Sequence, residues 1–175
     1  MPRLAYRRNL PHVFPPHTSI FITWRLKGSI PASVVAKARE EHWLSAGKRF
    51  ATVDRFMDKT SQGPRWLSDH RIAECVCAEI ELGGSQALCE YALFAYVVMS
   101  NHVHMFVMPH VPVMKIMKRL KGNTSRFANQ ILGRRAEEFW QQESYDHFCR
   151  SSREFDRICD YIAWNPVKAG NPVDS

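Results

Sequence analysis

Between Glu90 and Glu137 this chain carries no aspartate or glutamate, although Lys115, Lys118, Arg119, Lys121, Arg126, Arg134 and Arg135 all fall there. A one-sign stretch of that length suits a phosphate backbone. Paired cysteines are lacking too. Cys75, Cys77, Cys89, Cys149 and Cys159 are odd in number and show no C-x-x-C spacing, which argues against a disulfide framework or a zinc knuckle. No apolar run approaches the roughly 20 residues needed to span a bilayer, and the basic start leads into no signal-type core. The expected location is therefore the cytoplasm, with no membrane partner. Internal repeats and low-complexity tracts are also missing, and 45% hydrophobic against 23% charged residues excludes the disordered and collagen-like classes. What remains is one globular domain over 1–175, with a net charge of +7 that suits an anionic partner.

Hydrophobic periodicity divides that domain. Residues 1–18, basic and punctuated by Pro11, Pro15 and Pro16, are expected to form an extended arm before a catalytic domain over 19–170. Ser19–Leu26 alternates as a first strand. Ala32–Phe50 has helical spacing, and Thr52–Trp66, with Asp54, Asp58 and Gly63-Pro64, resembles a surface excursion. Asp69 is placed to cap a helix ending at Gly83-Gly84. Leu88–Met99 and His102–Met108 then form a hairpin closed by Pro109 and Pro112, followed by a basic helix with a break expected near Gly122. Glu143–Arg150 is a fourth strand. A final helix begins at Ser151 or Ser152 and is expected to end at Pro166. Strand, helix, strand, strand, helix, strand is the split βαβ, ferredoxin-like order. The fold class is thus α+β, with a four-stranded antiparallel sheet, a helical insertion after the first strand and an extra C-terminal helix.

Two features carry chemistry. In His102-Val103-His104, strand alternation sends both imidazoles to one face and the valine to the other, as a pair of metal ligands requires. Two histidines hydrogen-bonded in a core would satisfy the same pattern. In the final helix Tyr161 and Asn165 stand four apart and share a face, which sets a phenol and an amide side by side.

Three stretches in order, Val98-Met99-Ser100-Asn101-His102-Val103-His104, Phe139-Trp140-Gln141-Gln142-Glu143-Ser144-Tyr145-Asp146-His147 and Tyr161-Ile162-Ala163-Trp164-Asn165-Pro166-Val167-Lys168-Ala169-Gly170, resemble the REP-associated tyrosine transposases, a branch of the single-tyrosine HUH endonucleases. The resemblance covers about Tyr6 to Gly170. Ser100 departs from it where the family more often has proline, and the chain stops five residues after Gly170, so no C-terminal extension is expected. The resemblance implies that His102, His104 and Asn165 bind a divalent metal, Mg²⁺ or Mn²⁺. It further implies that Tyr161 attacks a phosphodiester of single-stranded or hairpin DNA, leaving a 5′-phosphotyrosine and a 3′-hydroxyl. Lys115, Lys118, Arg119, Lys121 and Arg126 are the candidate DNA-backbone contacts, and the protein is expected to act as a monomer or homodimer. Two other readings fit parts of the sequence. One is a non-catalytic nucleic-acid-binding module of ferredoxin-like fold, which leaves the His-Val-His without a use; the other is a metal-dependent phosphodiesterase using water, with Tyr161 a bystander.

Overall fold

The computed structural model describes residues 5–7, 11–13, 18–31, 33–34, 36, 53–57 and 63–168. The expected helix over 32–50 falls almost wholly outside them. The order is β1 (Ala5–Arg7), β2 (Pro11–Val13), β3 (Ile20–Arg25), a 3₁₀ turn (Trp66–Ser68), α1 (His70–Gly84), β4 (Tyr91–Val98), β5 (His102–Pro109), α2 (Val113–Ile131), β6 (Tyr145–Phe148) and α3 (Ser152–Lys168). Within the expected arm, β1 and β2 pair antiparallel as a small hairpin of their own.

The main sheet runs β4-β5-β3-β6, with every pairing antiparallel. This is the ferredoxin-like order that the strand and helix periodicities predict. Residues of β3 and β5 are buried on both faces, so each face has its own cover. On one face, Ile20, Ile22, Trp24, Val103, Met105 and Val107 pack against Ile72, Val76 and Ile80 of α1 and Ile116, Met117 and Leu120 of α2. On the other, Phe21, Phe106 and Ile162 form a smaller cluster, joined by Tyr145, Phe155, Ile158 and Tyr161, so α3 covers this face. A bulge in β4 between Leu93 and Ala95 lets Phe94 meet the rings of Phe106 and Phe155, at centroid separations of 5.4 and 4.9 Å.

Local signals set the helix starts. Asp69 caps α1 by accepting from the Arg71 N–H at 3.0 Å, and Ser151 Oγ accepts from the Glu154 N–H at 3.2 Å at the head of α3. Two expected stops do not hold. α2 passes through Gly122 unbroken, because packing of Ile116, Leu120 and Ala128 holds the turns on either side. α3 continues to Lys168 with Pro166 inside its last turn, where the missing N–H deprives only the Ile162 carbonyl of its intrahelical partner. Among the described residues no helix is long and apolar enough to cross a membrane.

Charge is also used inside the core. Arg119 Nε donates to Glu90 Oε2 at 2.7 Å and Nη1 to Glu79 Oε2 at 2.6 Å, which ties α2 to α1 and to the start of β4. A side chain at Gly83 would collide with the Arg119 guanidinium and the Tyr91 ring, so only glycine leaves room for this network. Removing the arginine would leave the buried Glu90 carboxylate without its counter-charge. Arg119→Ala is therefore expected to cost about 3 kcal/mol in urea unfolding, whereas Lys118→Ala, on an exposed position of the same helix, should stay within about 0.5 kcal/mol.

Candidate active site

Strand register builds the site. β3 and β5 pair Thr23 with His104 and Phe21 with Phe106, so alternation sends His102, His104 and Phe106 to the face covered by α3, while Val103 enters the main core. His102 and His104 are 1% and 0% exposed. Their Nε2 atoms face each other at 3.0 Å. Burial pushes the His102 imidazole down to about 3, and burial followed by the neighbouring His102 holds His104 well below its ordinary value. Both rings are neutral at pH 7, the form that ligates metals.

The outer nitrogens are held as well. His102 Nδ1 lies 2.6 Å from Asn101 Oδ1 and His104 Nδ1 lies 2.7 Å from Thr23 Oγ1, so both rings turn Nε2 inward.

A third donor comes from a segment read as a surface excursion. Residues 53–57 are helical, and Asp54, 3% exposed, brings a carboxylate oxygen to 3.3 Å from His104 Nε2 and 3.9 Å from His102 Nε2. The three donor atoms lie within 4.8 Å of one another. Sequence reasoning missed this role because the aspartate sits 48 residues before His102, in a stretch of turn-like composition. Its one sequence signal is Phe56-Met57 beside it, which marks the segment as able to bury one side.

Tyr161 and Asn165 approach from α3. The Tyr161 ring meets His104 edge-on at a centroid distance of 5.5 Å and Phe21 at 5.9 Å. Asn165 is 1% exposed, and neither amide atom has a hydrogen-bond partner among the described residues. A buried primary amide without partners is costly unless a ligand takes it up. Tyr145 lies on the same sheet face, in the row Tyr145, Thr23, His104, with the threonine between it and the histidine.

The residues present fit a divalent cation. Two neutral imidazole nitrogens and a carboxylate oxygen are a mixed donor set of the kind Mn²⁺ or Zn²⁺ accepts readily and Mg²⁺ tolerates, and Asn165 offers one more oxygen. Two nitrogens about 2.1 Å from one ion and at right angles lie roughly 3 Å apart, close to the observed 3.0 Å. A desolvated carboxylate facing two neutral rings is likewise favoured by a nearby positive charge.

The remaining candidates are placed differently. α2 lies on the sheet face opposite the histidines. Lys115, Lys118 and Arg126 are exposed on it, but Arg119 is taken up by Glu79 and Glu90, and Lys121 donates to the Gln141 and Gln142 carbonyls at 2.9 and 3.1 Å. The acid-free segment therefore does not adjoin the histidine pair, as its place in the sequence suggests. His147 accepts no ligand role in this arrangement: its Nε2 pairs with Glu154 at 2.9 Å and clamps β6 to α3. Trp24 and Trp140 are buried in the main core, whereas Trp164, beside Asn165, is 59% exposed.

Part of the sequence and the overall fold are similar to those of known proteins. Residues 83–165, which include His102, His104, Tyr161 and Asn165, match the family described as transposase IS200 like. A solved REP-associated tyrosine transposase bound to a REP hairpin superposes with a TM-score of 0.55 at 16% identity, covering 94% of this chain and 73% of that one. A transposase structure from Deinococcus radiodurans R1 aligns at 14% identity and a TM-score of 0.40, covering 91% of this chain and 98% of that one. No curated protein matches the chain. Residues 83–165 thus match the IS200-like transposase family, and the fold is similar to that of a solved REP-associated tyrosine transposase.

Proposed function

We propose that this protein is a metal-dependent single-strand DNA endonuclease and strand transferase that works through a covalent Tyr161 intermediate on hairpin or repetitive palindromic DNA. The observation that carries the reading is the convergence of three buried donors, His102, His104 and Asp54, with the ring of Tyr161 in contact with His104. A nucleic-acid-binding module has no need to bury such a group.

His102, His104 and Asp54 would hold the ion, and Asn165 would join them from α3. When bound, the ion supplies Lewis acidity at a phosphoryl oxygen and positive charge against the one that develops there. The chain does the rest. Tyr161 Oη attacks phosphorus and gives up its proton, the bond from phosphorus to the 3′-oxygen breaks, and that oxygen takes a proton to leave as a hydroxyl. The fragment downstream of the break stays on the enzyme through its 5′-phosphate, as a 5′-phosphotyrosine. Storing the phosphodiester energy in this ester lets a second 3′-hydroxyl reverse the step, which suits strand transfer better than hydrolysis.

The helix is the better platform for this nucleophile than β6. α3 rests on the smaller cluster and the His147–Glu154 clamp, so Tyr161 and Asn165 can move as a unit relative to the sheet, whereas Tyr145 is fixed in a strand ladder. The exposed cations Lys115, Lys118 and Arg126, on the far layer, would contact the backbone of a folded hairpin wrapping past the sheet edge.

Three outcomes test this. Tyr161→Phe should keep binding to a labelled single-stranded oligonucleotide from the repeats flanking its gene, yet lose cleavage and the covalent adduct on a denaturing gel; an adduct mapped to Tyr145 by mass spectrometry would overturn the assignment. His102→Ala or His104→Ala should lower Mn²⁺ affinity by at least about tenfold in calorimetry, with circular dichroism unchanged. Neutralising Lys115 and Lys118 should flatten the log–log salt dependence of DNA binding by about one to two units; an unchanged slope removes them from the interface.

A further inference from the structure

Asn101 occupies the turn between β4 and β5, immediately before the first histidine, and is 1% exposed. Every polar group but its own N–H is engaged by the surrounding elements. Its carbonyl accepts from the Leu26 N–H at 2.9 Å, its Nδ2 donates to the Met57 carbonyl at 3.1 Å, and its Oδ1 stands 2.6 Å from His102 Nδ1. We propose that Asn101 is the positioning residue of this metal centre, setting the His102 tautomer with one end of its amide and pinning the Asp54 segment with the other. The inference rests on the metal reading above.

The argument is one of donors and acceptors. A backbone carbonyl only accepts, so the end of the amide facing Met57 must be the nitrogen. The oxygen then faces His102, and an oxygen acceptor opposite a ring nitrogen requires the proton on Nδ1. That leaves the Nε2 lone pair pointing into the site, toward His104 Nε2 at 3.0 Å and Asp54 at 3.9 Å. Thr23 cannot do this for His104, because a hydroxyl donates or accepts and so follows either tautomer.

The other end of the amide works through the chain. Met57 lies three residues after Asp54 on the same helical segment, one turn away on the same side. Holding the Met57 carbonyl against the β4–β5 turn thus fixes the distance between the Asp54 carboxylate and the two imidazoles. One side chain joins donors that stand 48 residues apart in sequence. It also explains a buried asparagine in this turn, where a hydrophobic residue of similar size would pack without needing two side-chain hydrogen-bond partners.

The two roles separate by substitution. Asn101→Asp keeps an acceptor for His102 but has no N–H for Met57, whereas Asn101→Ala removes both. The ¹⁵N shifts of His102 in metal-free protein report its tautomer, and calorimetry with Mn²⁺ reports affinity. Asn101→Ala should convert His102 from the Nδ1–H form to a mixture and weaken Mn²⁺ on the order of 10- to 100-fold. Asn101→Asp should keep the Nδ1–H form and weaken Mn²⁺ about as much as Asp54→Asn does, with no further loss when the two are combined. Retention of the Nδ1–H form in Asn101→Ala, or losses that multiply in the double variant, would overturn the proposal. If Asn101→Ala does not fold, the near-isosteric Asn101→Asp and Asp54→Asn carry the test alone. Wild-type protein that takes up no Mn²⁺ counts against the metal reading, while the tautomer measurement still decides the role of Asn101.

Discussion

Two neutral imidazoles and a carboxylate are buried between a sheet and a helix, and the rest of this structure is arranged to make that tolerable. Desolvation strips the rings of their charged form and sets the buried Asp54 carboxyl beside them, an arrangement that polar partners and a cation can stabilise and that an apolar core alone cannot. Thr23 and Asn101 meet the outward nitrogens, so each ring has one orientation. Loss of either partner would leave a buried donor or acceptor unmatched, which ties the integrity of the centre to that of the β4–β5 turn.

The two faces of the sheet divide the work. The face carrying α1 and α2 holds the large apolar core and the Arg119–Glu79–Glu90 network, and most of the stability resides there. The face carrying α3 has a smaller apolar cluster, Phe21, Phe106 and Ile162, beside the buried polar groups of His102, His104 and Asn165. The helix bearing the proposed nucleophile is thereby held by a small apolar cluster and the His147–Glu154 clamp, while the two imidazoles sit on β5, a central strand. Chemistry that forms and later releases a covalent DNA link benefits from that contrast, because ligand geometry stays fixed while the attached strand changes position.

Basic charge follows a different logic from its place in the sequence. The acid-free stretch directly follows the histidines along the chain, yet the crossover into α2 carries it to the opposite layer, and two of its five candidate contacts are used internally. Sequence adjacency to a strand says little about which face the next helix will cover, since that is decided by the handedness of the connection and by where the apolar stripe of the helix can be buried.

Periodicity alone determined the order of the four main-sheet strands and the three long helices, the hairpin around Asn101, the common face of His102 and His104, and the pairing of Tyr161 with Asn165 on one helix, because these are local consequences of repeats of 2 and 3.6 residues. The three motifs were legible for the same reason: each is a short, contiguous arrangement. Tertiary structure decided what no local pattern encodes. Packing, not the intrinsic preferences of Gly122 and Pro166, set the length of α2 and α3. It also selected which lysines and arginines point outward, and it brought Asp54 to the histidines through a hydrogen bond between a turn and a helix far apart in the chain. A residue's spacing fixes the neighbours it shares an element with; only the closure of the chain fixes the neighbours it meets across a site.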